Sequence, residues 1–264
     1  MYVSCIMSAT PVKAATVEFG SFGFERGYGS EITTFDNDGY LTGERVRIQD
    51  PKHLFFDQVG FTTAFMGFIN EPNLFNRGAG FQSSNYRQVF AKKQLNKRVG
   101  VSADYTWLIG TDTVREAALV DTKESKIVDN VRVESYQRLN TISLQGLPIG
   151  GGSGIAVTAD KKFGKLWNGD AGFASIDEDY TVYGNSRYFH SSGFSLNGDT
   201  YGLGNRAFTH LSYKVSPGVT AFSYYTHAVG AGVANWVLDL NKQGLNVGMT
   251  FDMKALVNTG RKVF

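Results

Sequence analysis

Short stretches in which apolar and polar residues alternate, separated by turn residues, dominate the chain. Between Leu245 and Lys254 every second residue is apolar, and the residues between them are Asn, Gly, Thr, Asp and Lys. The stretch from Val99 to Trp107 has the same period of two, with Asp104 on its polar side. Because successive side chains of a strand point to opposite faces, these stretches predict β-strands with one apolar and one polar face.

Turn signals join many of these stretches in pairs. Pro217 and Gly218 form such a signal between the alternating stretches Ala207–Val215 and Val219–Ala228. Longer polar, glycine-rich segments such as Gly27–Gly43 separate one pair from the next. Hairpins spaced in this way predict an all-β, up-and-down antiparallel fold of about 12 to 14 strands.

Composition narrows the classes of protein. The 264 residues include 31 Gly but only 5 Pro, and 14% are aromatic, which disfavours a helical bundle and suits strands and turns. The net charge is +2, and charged residues of both signs are scattered along the chain, so the sequence has no basic stripe of the kind that binds nucleic acid. The single cysteine, Cys5, rules out an internal disulfide framework. No cofactor and no metal site is predicted.

The polar faces of several predicted strands carry charge, as at Arg132, Glu134, Asp252 and Lys254. A packed core holds such charges only with specific partners, whereas a hydrated lumen accommodates them. Tyr and Trp residues such as Trp107 gather near predicted strand ends, as at a lipid–water boundary. These features favour a closed antiparallel up-and-down transmembrane β-barrel over a soluble β-domain.

The segment Leu211–Phe222 resembles the strand–turn–strand units of bacterial porin-like outer-membrane proteins. The resemblance is one of pattern and covers most of residues 16–255. It implies a location in the cell outer membrane. The chain ends in Phe264, and a C-terminal aromatic is typical of proteins delivered to the barrel-assembly machinery. Residues 258–263 do not alternate, so the last strand is expected to end near Ala255, with a short tail after it.

The first fifteen residues differ from the rest of the chain. A short apolar run is followed by Val12, Lys13 and Ala14, whose outer positions fit a signal-peptidase site. Residues 1–15 are therefore expected to be a clipped signal-peptide-like leader, with an ordinary N-terminal extension as the alternative. Residues 16–264 are expected to form a single barrel domain.

The expected function is passive diffusion of small polar or ionic solutes through a porin-like channel. Five charged residues are predicted to line the pore and to filter solutes electrostatically: Asp104, Arg132, Glu134, Asp252 and Lys254. No residue is given a bond-breaking role, so the protein is not expected to be an enzyme. Expected partners are outer-membrane lipids, the assembly machinery and the solutes. A homo-oligomer and a plugged structural or adhesin barrel both stay open.

Two motifs suggest other chemistry. His190 and Ser192 resemble the paired residues of barrel enzymes that cleave lipid acyl chains, with Asn205 as the group that would orient the imidazole. This hydrolase is the alternative function. The segment Phe35–Gly39 is similar to a calcium-binding loop, but that register places Arg45 where a bidentate Glu is required. An ordinary loop is expected there.

Overall fold

The structure is a computed structural model of the chain. It describes residues 6–12, 15–30, 32–33, 41–49, 54–65, 84–108, 111–139, 141–144, 147–150, 153–176, 204–228 and 243–252. Every statement about the fold below concerns these residues.

Thirteen strands of the described residues form one antiparallel sheet, and two more form a separate hairpin. The strands are β1 Ile6–Val12, β2 Ala15–Phe22, β3 Leu41–Ile48, β4 Gln58–Phe65, β5 Tyr86–Gln94, β6 Val99–Leu108, β7 Thr111–Asp121, β8 Asn130–Arg138, β9 Thr141–Leu144, β10 Leu147–Gly150, β11 Ser153–Phe163, β12 Trp167–Ile176, β13 Gly204–Ser216, β14 Val219–Ala228 and β15 Gln243–Phe251. Each strand of the sheet pairs with the next along the chain, and β8 pairs directly with β11 because β9 and β10 stand apart.

Alternation along the strands gives the sheet a buried inner face and an exposed outer face. On β5, Tyr86 and Phe90 are 1% and 2% exposed, whereas Val89 between them is 53% exposed. On β6, Thr106 is buried and Tyr105 is exposed. The outer face therefore carries apolar and aromatic side chains, and the inner face carries many polar ones, as in a barrel that faces lipid outside and water inside.

The connections differ in length at the two ends of the sheet. At one end, tight turns at residues 164–166 and 217–218 join β11 to β12 and β13 to β14. At the other end, residues 23–40 connect β2 to β3, and residues 177–203 connect β12 to β13. Residues 109–110, which connect β6 to β7 at this second end, are an exception, but short turns at one end and longer connections at the other are typical of outer-membrane barrels.

Helical structure is minor in the described part of the chain. One turn of 3-10 helix, Lys123–Ser125, lies between β7 and β8 and ends at Lys126, which has a left-handed φ of 59°. No helix among the described residues is long and apolar enough to cross a membrane.

The predicted fold class is confirmed: the chain is all-β, antiparallel and up-and-down, and the thirteen strands of the described sheet fall within the predicted number. Within the same residues β1 and β15 are the edges of the sheet and do not pair with each other. Strand structure begins earlier than residue 16, because Ile6–Val12 adds to the open edge of β2. The predicted leader includes this strand, and its removal on export stays a prediction.

Candidate functional site

The segment after β2 folds back across the inner face of the sheet, and we call its residues 23–30 and 32–33 the inner segment. The backbone N–H of Tyr28 donates a hydrogen bond to the Ser102 hydroxyl on β6 at 2.8 Å. The Thr33 hydroxyl donates to the Glu134 carboxylate on β8 at 2.6 Å. These partners are 74 and 101 residues away in sequence. The inner segment is thus held by tertiary contacts to several strands.

Tyr28 lies close to the strand wall because two glycines leave room for it. Gly27 has a φ of +58°, and a Cβ there would lie 2.5 Å from the Ser102 side chain. A Cβ at Gly100 would lie 2.5 Å from the Tyr28 ring. The Tyr28 hydroxyl donates to Gln94 at 2.7 Å. Burial, and then the negative charge of Asp57, raise the pKa of Tyr28, so its hydroxyl stays a donor at neutral pH.

Glu134 is the main attachment point of the inner segment on β8. It is 1% exposed. Its carboxylate accepts a hydrogen bond from the backbone N–H of Ser30 at 2.8 Å, and further bonds from the Ser30 and Thr33 hydroxyls. A buried carboxylate is tolerated when donors satisfy it in this way, since hydrogen bonds to charged groups are among the stronger ones.

Arg115 on β7 makes a second buried attachment beside the first. Its Nη1 lies 3.0 Å from the Asp104 carboxylate and donates to the Thr106 hydroxyl at 2.9 Å. Its Nε donates to the Thr33 carbonyl at 3.1 Å. The arginine and the aspartate are 5% and 9% exposed. The ion pair therefore binds the inner segment to the wall and neutralises its own charge.

A third cluster holds the start of the inner segment against β2, β3 and β4. Arg45 pairs with Glu18 at 3.4 Å and donates to the Thr62 hydroxyl at 3.1 Å and to the Gly23 carbonyl at 2.5 Å. Arg47 pairs with Glu18 as well, and with Glu25 at 3.5 Å. The inner face of β2–β8 is thus largely occupied by charges that satisfy one another and the inner segment.

The other edge of the inner segment borders a polar cavity of about 420 Å³. The inner faces of β8 and β11–β14 form its far wall. Charges of both signs line it, with Arg26, Arg132 and Lys162 against Asp160 and Asp170. A polar cavity of this size is large enough for several water molecules or a small solute.

Some groups of the cavity wall are paired and some are not. The Asp170 carboxylate lies 2.8 Å from His210 Nδ1, and the His210 ring stacks on Tyr224 with centroids 4.2 Å apart. By contrast, the buried Nε of Arg132 and the buried Oγ1 of Thr158 have no hydrogen-bond partner among the described residues. Register places Arg132 directly opposite Thr158 on adjacent strands, and both unpaired atoms are buried in the wall and not exposed to the cavity.

The structure places the sequence-predicted pore residues in different surroundings. Asp104 and Glu134 are buried on the inner face, and both are linked to Thr33 of the inner segment. The Glu134 carboxylate accepts a hydrogen bond from the Thr33 hydroxyl, and Asp104 pairs with Arg115, which donates to the Thr33 carbonyl. Arg132 lines the cavity. Asp252 follows β15 directly and is exposed. Lys254 lies outside the described residues. Lining of a pore by this set stays a prediction.

Sequence reasoning missed the partners of these residues. Arg115 has the same period-two signal as Asp104, and alternation along β7 alone would have placed it on the inner face. Arg45 is likewise on the inner face of β3. The inner segment itself has no such signal, because its polar and glycine residues show no period and its contacts are distant in sequence.

Of the three residues in the predicted hydrolase motif, the structure describes only Asn205. His190 and Ser192 lie outside the described residues, as does the calcium-like loop Phe35–Gly39. Asn205, near the start of β13, is exposed and belongs to the outer face. The lipid-hydrolase alternative stays a prediction.

Comparison with known proteins supports the fold. No protein-family model and no curated protein matches the chain. Three solved structures of Pseudomonas aeruginosa porins do match. OpdQ has a TM-score of 0.53 at 8% identity, with 92% of this chain and 66% of that one covered. OccK11 (OpdR) has a TM-score of 0.50 at 10% identity, with 82% of this chain and 62% of that one covered. OccK8 (OprE) has a TM-score of 0.50 at 12% identity, with 84% of this chain and 65% of that one covered.

At identities of 8 to 12% this likeness shows the fold alone. The fold of the chain resembles that of these porins, and its up-and-down antiparallel sheet is of the porin-like β-barrel type. It spans just under two thirds of the length of the solved porins that it matches.

Proposed function

We propose that this chain forms a porin-like channel in the cell outer membrane for passive diffusion of small polar or ionic solutes. The observation that carries the proposal is the polar cavity of about 420 Å³ between the inner segment and the inner face of β8 and β11–β14. A hydrated passage lined by charges of both signs lets small polar solutes pass with a weak ionic preference.

The outer face supports the membrane location. Phe61 on β4 and Val89, its register partner on β5, are 47% and 53% exposed, and Val247 on the distant strand β15 is 75% exposed. A protein in water rarely exposes apolar surface so continuously, whereas a lipid-facing wall requires it. Outer-membrane lipids are therefore the proposed partners of this face.

The inner segment sets the course of the proposed path. It covers the part of the inner face where Glu134 and Arg115 are already satisfied, so solutes pass along the cavity wall formed by the rest of β8 and by β11–β14. There Arg132 contributes a positive charge to the cavity lining. Its proposed role is electrostatic attraction of anions, and no residue of the path breaks a bond.

The test is single-channel conductance of the refolded protein in a planar bilayer at neutral pH. Discrete, reproducible current steps are expected. Arg132→Gln should lower anion permeability relative to cation permeability by up to about fivefold, since one unit charge about 4 Å from an ion in water changes its energy by about 1 kcal/mol. Lys165→Gln, which removes the same charge from the exposed turn at residues 164–166, should leave the ratio unchanged.

A plugged structural barrel is the second candidate, because the inner segment already covers much of the described inner face. Insertion into the bilayer without current would overturn the channel and support the plugged barrel. Failure to insert at all would overturn the membrane location itself.

A further inference from the structure

Three of the short connections at one end of the sheet share a pattern in which a lysine lies beside an exposed apolar residue. The pairs are Lys97 with Leu95, Lys126 with Ile127, and Lys214 with Val215. All six side chains are exposed. Within the described residues no hydrogen bond or ion pair engages the three ammonium groups. We call these six residues the basic rim.

The basic rim lies at a single end of the sheet, because consecutive strands run in opposite directions. Its three connections join β5 to β6, β7 to β8 and β13 to β14. Backbone hydrogen bonds order the first two: the N–H of Leu95 donates to the Val99 carbonyl at 2.8 Å, and the N–H of Lys126 donates to the Lys123 carbonyl at 3.3 Å. The lysines are therefore carried by ordered turns.

The carboxylates beside the basic rim are already paired with other cations. The pairs are Asp57 with Lys93 at 3.4 Å, Asp121 with Lys123 at 3.1 Å, Asp129 with Lys161 at 2.8 Å, and Glu124 with Arg98. Asp252, which follows β15, adds one further carboxylate to this end. The three lysines of the basic rim therefore leave the described part of this end with an excess of positive charge.

Aromatic side chains lie on the outer face next to the basic rim. Trp167 on β12 and Tyr213 on β13 are register partners, and their ring centroids are 4.5 Å apart. Phe163, which pairs with Trp167 across β11 and β12, is 56% exposed. Tyr and Trp rings favour the headgroup level of a bilayer. Lys214, the residue after Tyr213, therefore lies within reach of the headgroup phosphates.

We infer that the basic rim binds the phosphate groups of anionic lipids in the leaflet that meets the short turns. The inference rests on the proposed location in the outer membrane. The apolar side chains of the rim enter the edge of the hydrocarbon, while the ammonium groups on their flexible stems pair with phosphates. A zwitterionic headgroup carries its own cation beside the phosphate and attracts lysine less. Anionic lipids are therefore expected to collect around this end of the barrel.

Trp167 reports on the lipids around this end. Trp107→Phe and Trp236→Phe together leave it as the only tryptophan of the chain. The protein is folded into mixed bilayers of phosphatidylglycerol and phosphatidylcholine, and each lipid in turn carries brominated acyl chains, which quench tryptophan on contact. Phosphatidylglycerol should be enriched several-fold around Trp167 at low salt. The enrichment should disappear at about 1 M salt, where screening acts within about 3 Å.

Single substitutions assign the enrichment to the basic rim. Lys126→Gln and Lys214→Gln should each lower it by up to about fivefold, the effect of one lysine at an anionic membrane surface. Arg87→Gln is the matched control, because it removes a positive charge from an exposed position at the opposite end of β5, and it should leave the enrichment unchanged. If the two tryptophan substitutions prevent insertion, the same comparison is made in the chain with all three tryptophans.

Equal quenching by the two brominated lipids in the inserted protein would overturn the inference and leave the outer-membrane location standing. Loss of the enrichment on addition of inorganic phosphate at constant ionic strength would assign the lysines to a free anion, and would overturn the inference as well. Failure to insert would overturn the location and the inference together.

Discussion

Arg115 on β7 and Arg132 on β8 lie on neighbouring strands and belong to the same inner face, yet their surroundings differ. Arg115 is 5% exposed and bonds to Asp104, Thr106 and Thr33. Arg132 lines the cavity, and its Nε has no partner among the described residues. Arg115 belongs to the covered region, the part of the inner face over which the inner segment lies. Arg132 belongs to the cavity region, the part of the inner face that borders the cavity.

The difference shows that strand periodicity decides the face of a side chain but not its role. The covered region uses charge for attachment, since buried ions must be neutralised and hydrogen-bonded. The cavity region places charged side chains beside a space large enough for water or a small solute. The position of the inner segment separates the two roles, and displacing it should convert covered residues into pore residues.

The largest effect is expected for Glu134→Ala. Loss of the carboxylate leaves the donors of Ser30 and Thr33 without their acceptor, which should lower the free energy of unfolding by about 2–4 kcal/mol. Release of the inner segment should also raise the single-channel conductance. Urea unfolding in lipid vesicles and bilayer recordings measure the two effects.

Glu124→Ala is the matched control for Glu134→Ala. It removes the same side chain from an exposed turn, where Glu124 pairs with Arg98 at the surface. Such pairs contribute about 0–1 kcal/mol, and the conductance should not change. If Glu134→Ala behaved like this control, Glu134 would not attach the inner segment, and the contrast between the two regions would fail.

A smaller effect is expected for Gly100→Ala. The new Cβ would lie within 2.5 Å of the Tyr28 ring, so the ring must shift and its bond to Gln94 is strained. Overpacking of this kind costs about 1–3 kcal/mol, measurable by urea unfolding. Gly23→Ala is the control, because a Cβ there meets nothing within 4 Å. Equal stability of the two variants would place Tyr28 elsewhere.

The strands and their faces were predictable because alternation is a local signal. From Val99 to Trp107 the sequence predicts Asp104 and Thr106 on the face opposite Tyr105, and their burial agrees. The turn at Pro217 and Gly218 also lies where the sequence predicts it. Alternation does not fix where strands end: β11 and β12 extend up to a tight turn at residues 164–166, which Gly164 permits with a φ of +69°.

The inner segment could not be predicted, since its contacts join residues up to 104 apart and leave no period in the sequence. For the same reason Glu134 looked like a free pore charge, although its acceptor capacity is used by Ser30 and Thr33. The strand Ile6–Val12 was hidden by a composition that resembles an export leader. Sequence thus indicates which face a charge occupies, and tertiary contacts decide whether it is available.

The smallest effect tests the junction between the two regions, where the β7–β8 turn contacts β11. Asp129 accepts hydrogen bonds from Lys161 Nζ at 2.8 Å and from the Lys162 backbone N–H at 2.9 Å. The bond from Lys161, followed by that from Lys162, lowers the pKa of Asp129. A carboxyl group whose pKa is lower in the folded state than its unfolded value of about 3.9 stabilises the fold above that pH.

This stabilisation should therefore be lost as the pH falls below about 4 and through the lowered pKa of Asp129. Asp129→Asn should be less stable than the parent at pH 7 and equally stable in strong acid, with urea midpoints between the two limits as the measurement. Lys161→Gln should reduce the same pH dependence, because it removes the main cause of the lowered pKa. If the urea midpoints of the parent and of Asp129→Asn changed with pH in the same way, the Asp129 carboxylate would not hold the turn to β11. The covered region and the cavity region would then be joined here by backbone pairing alone.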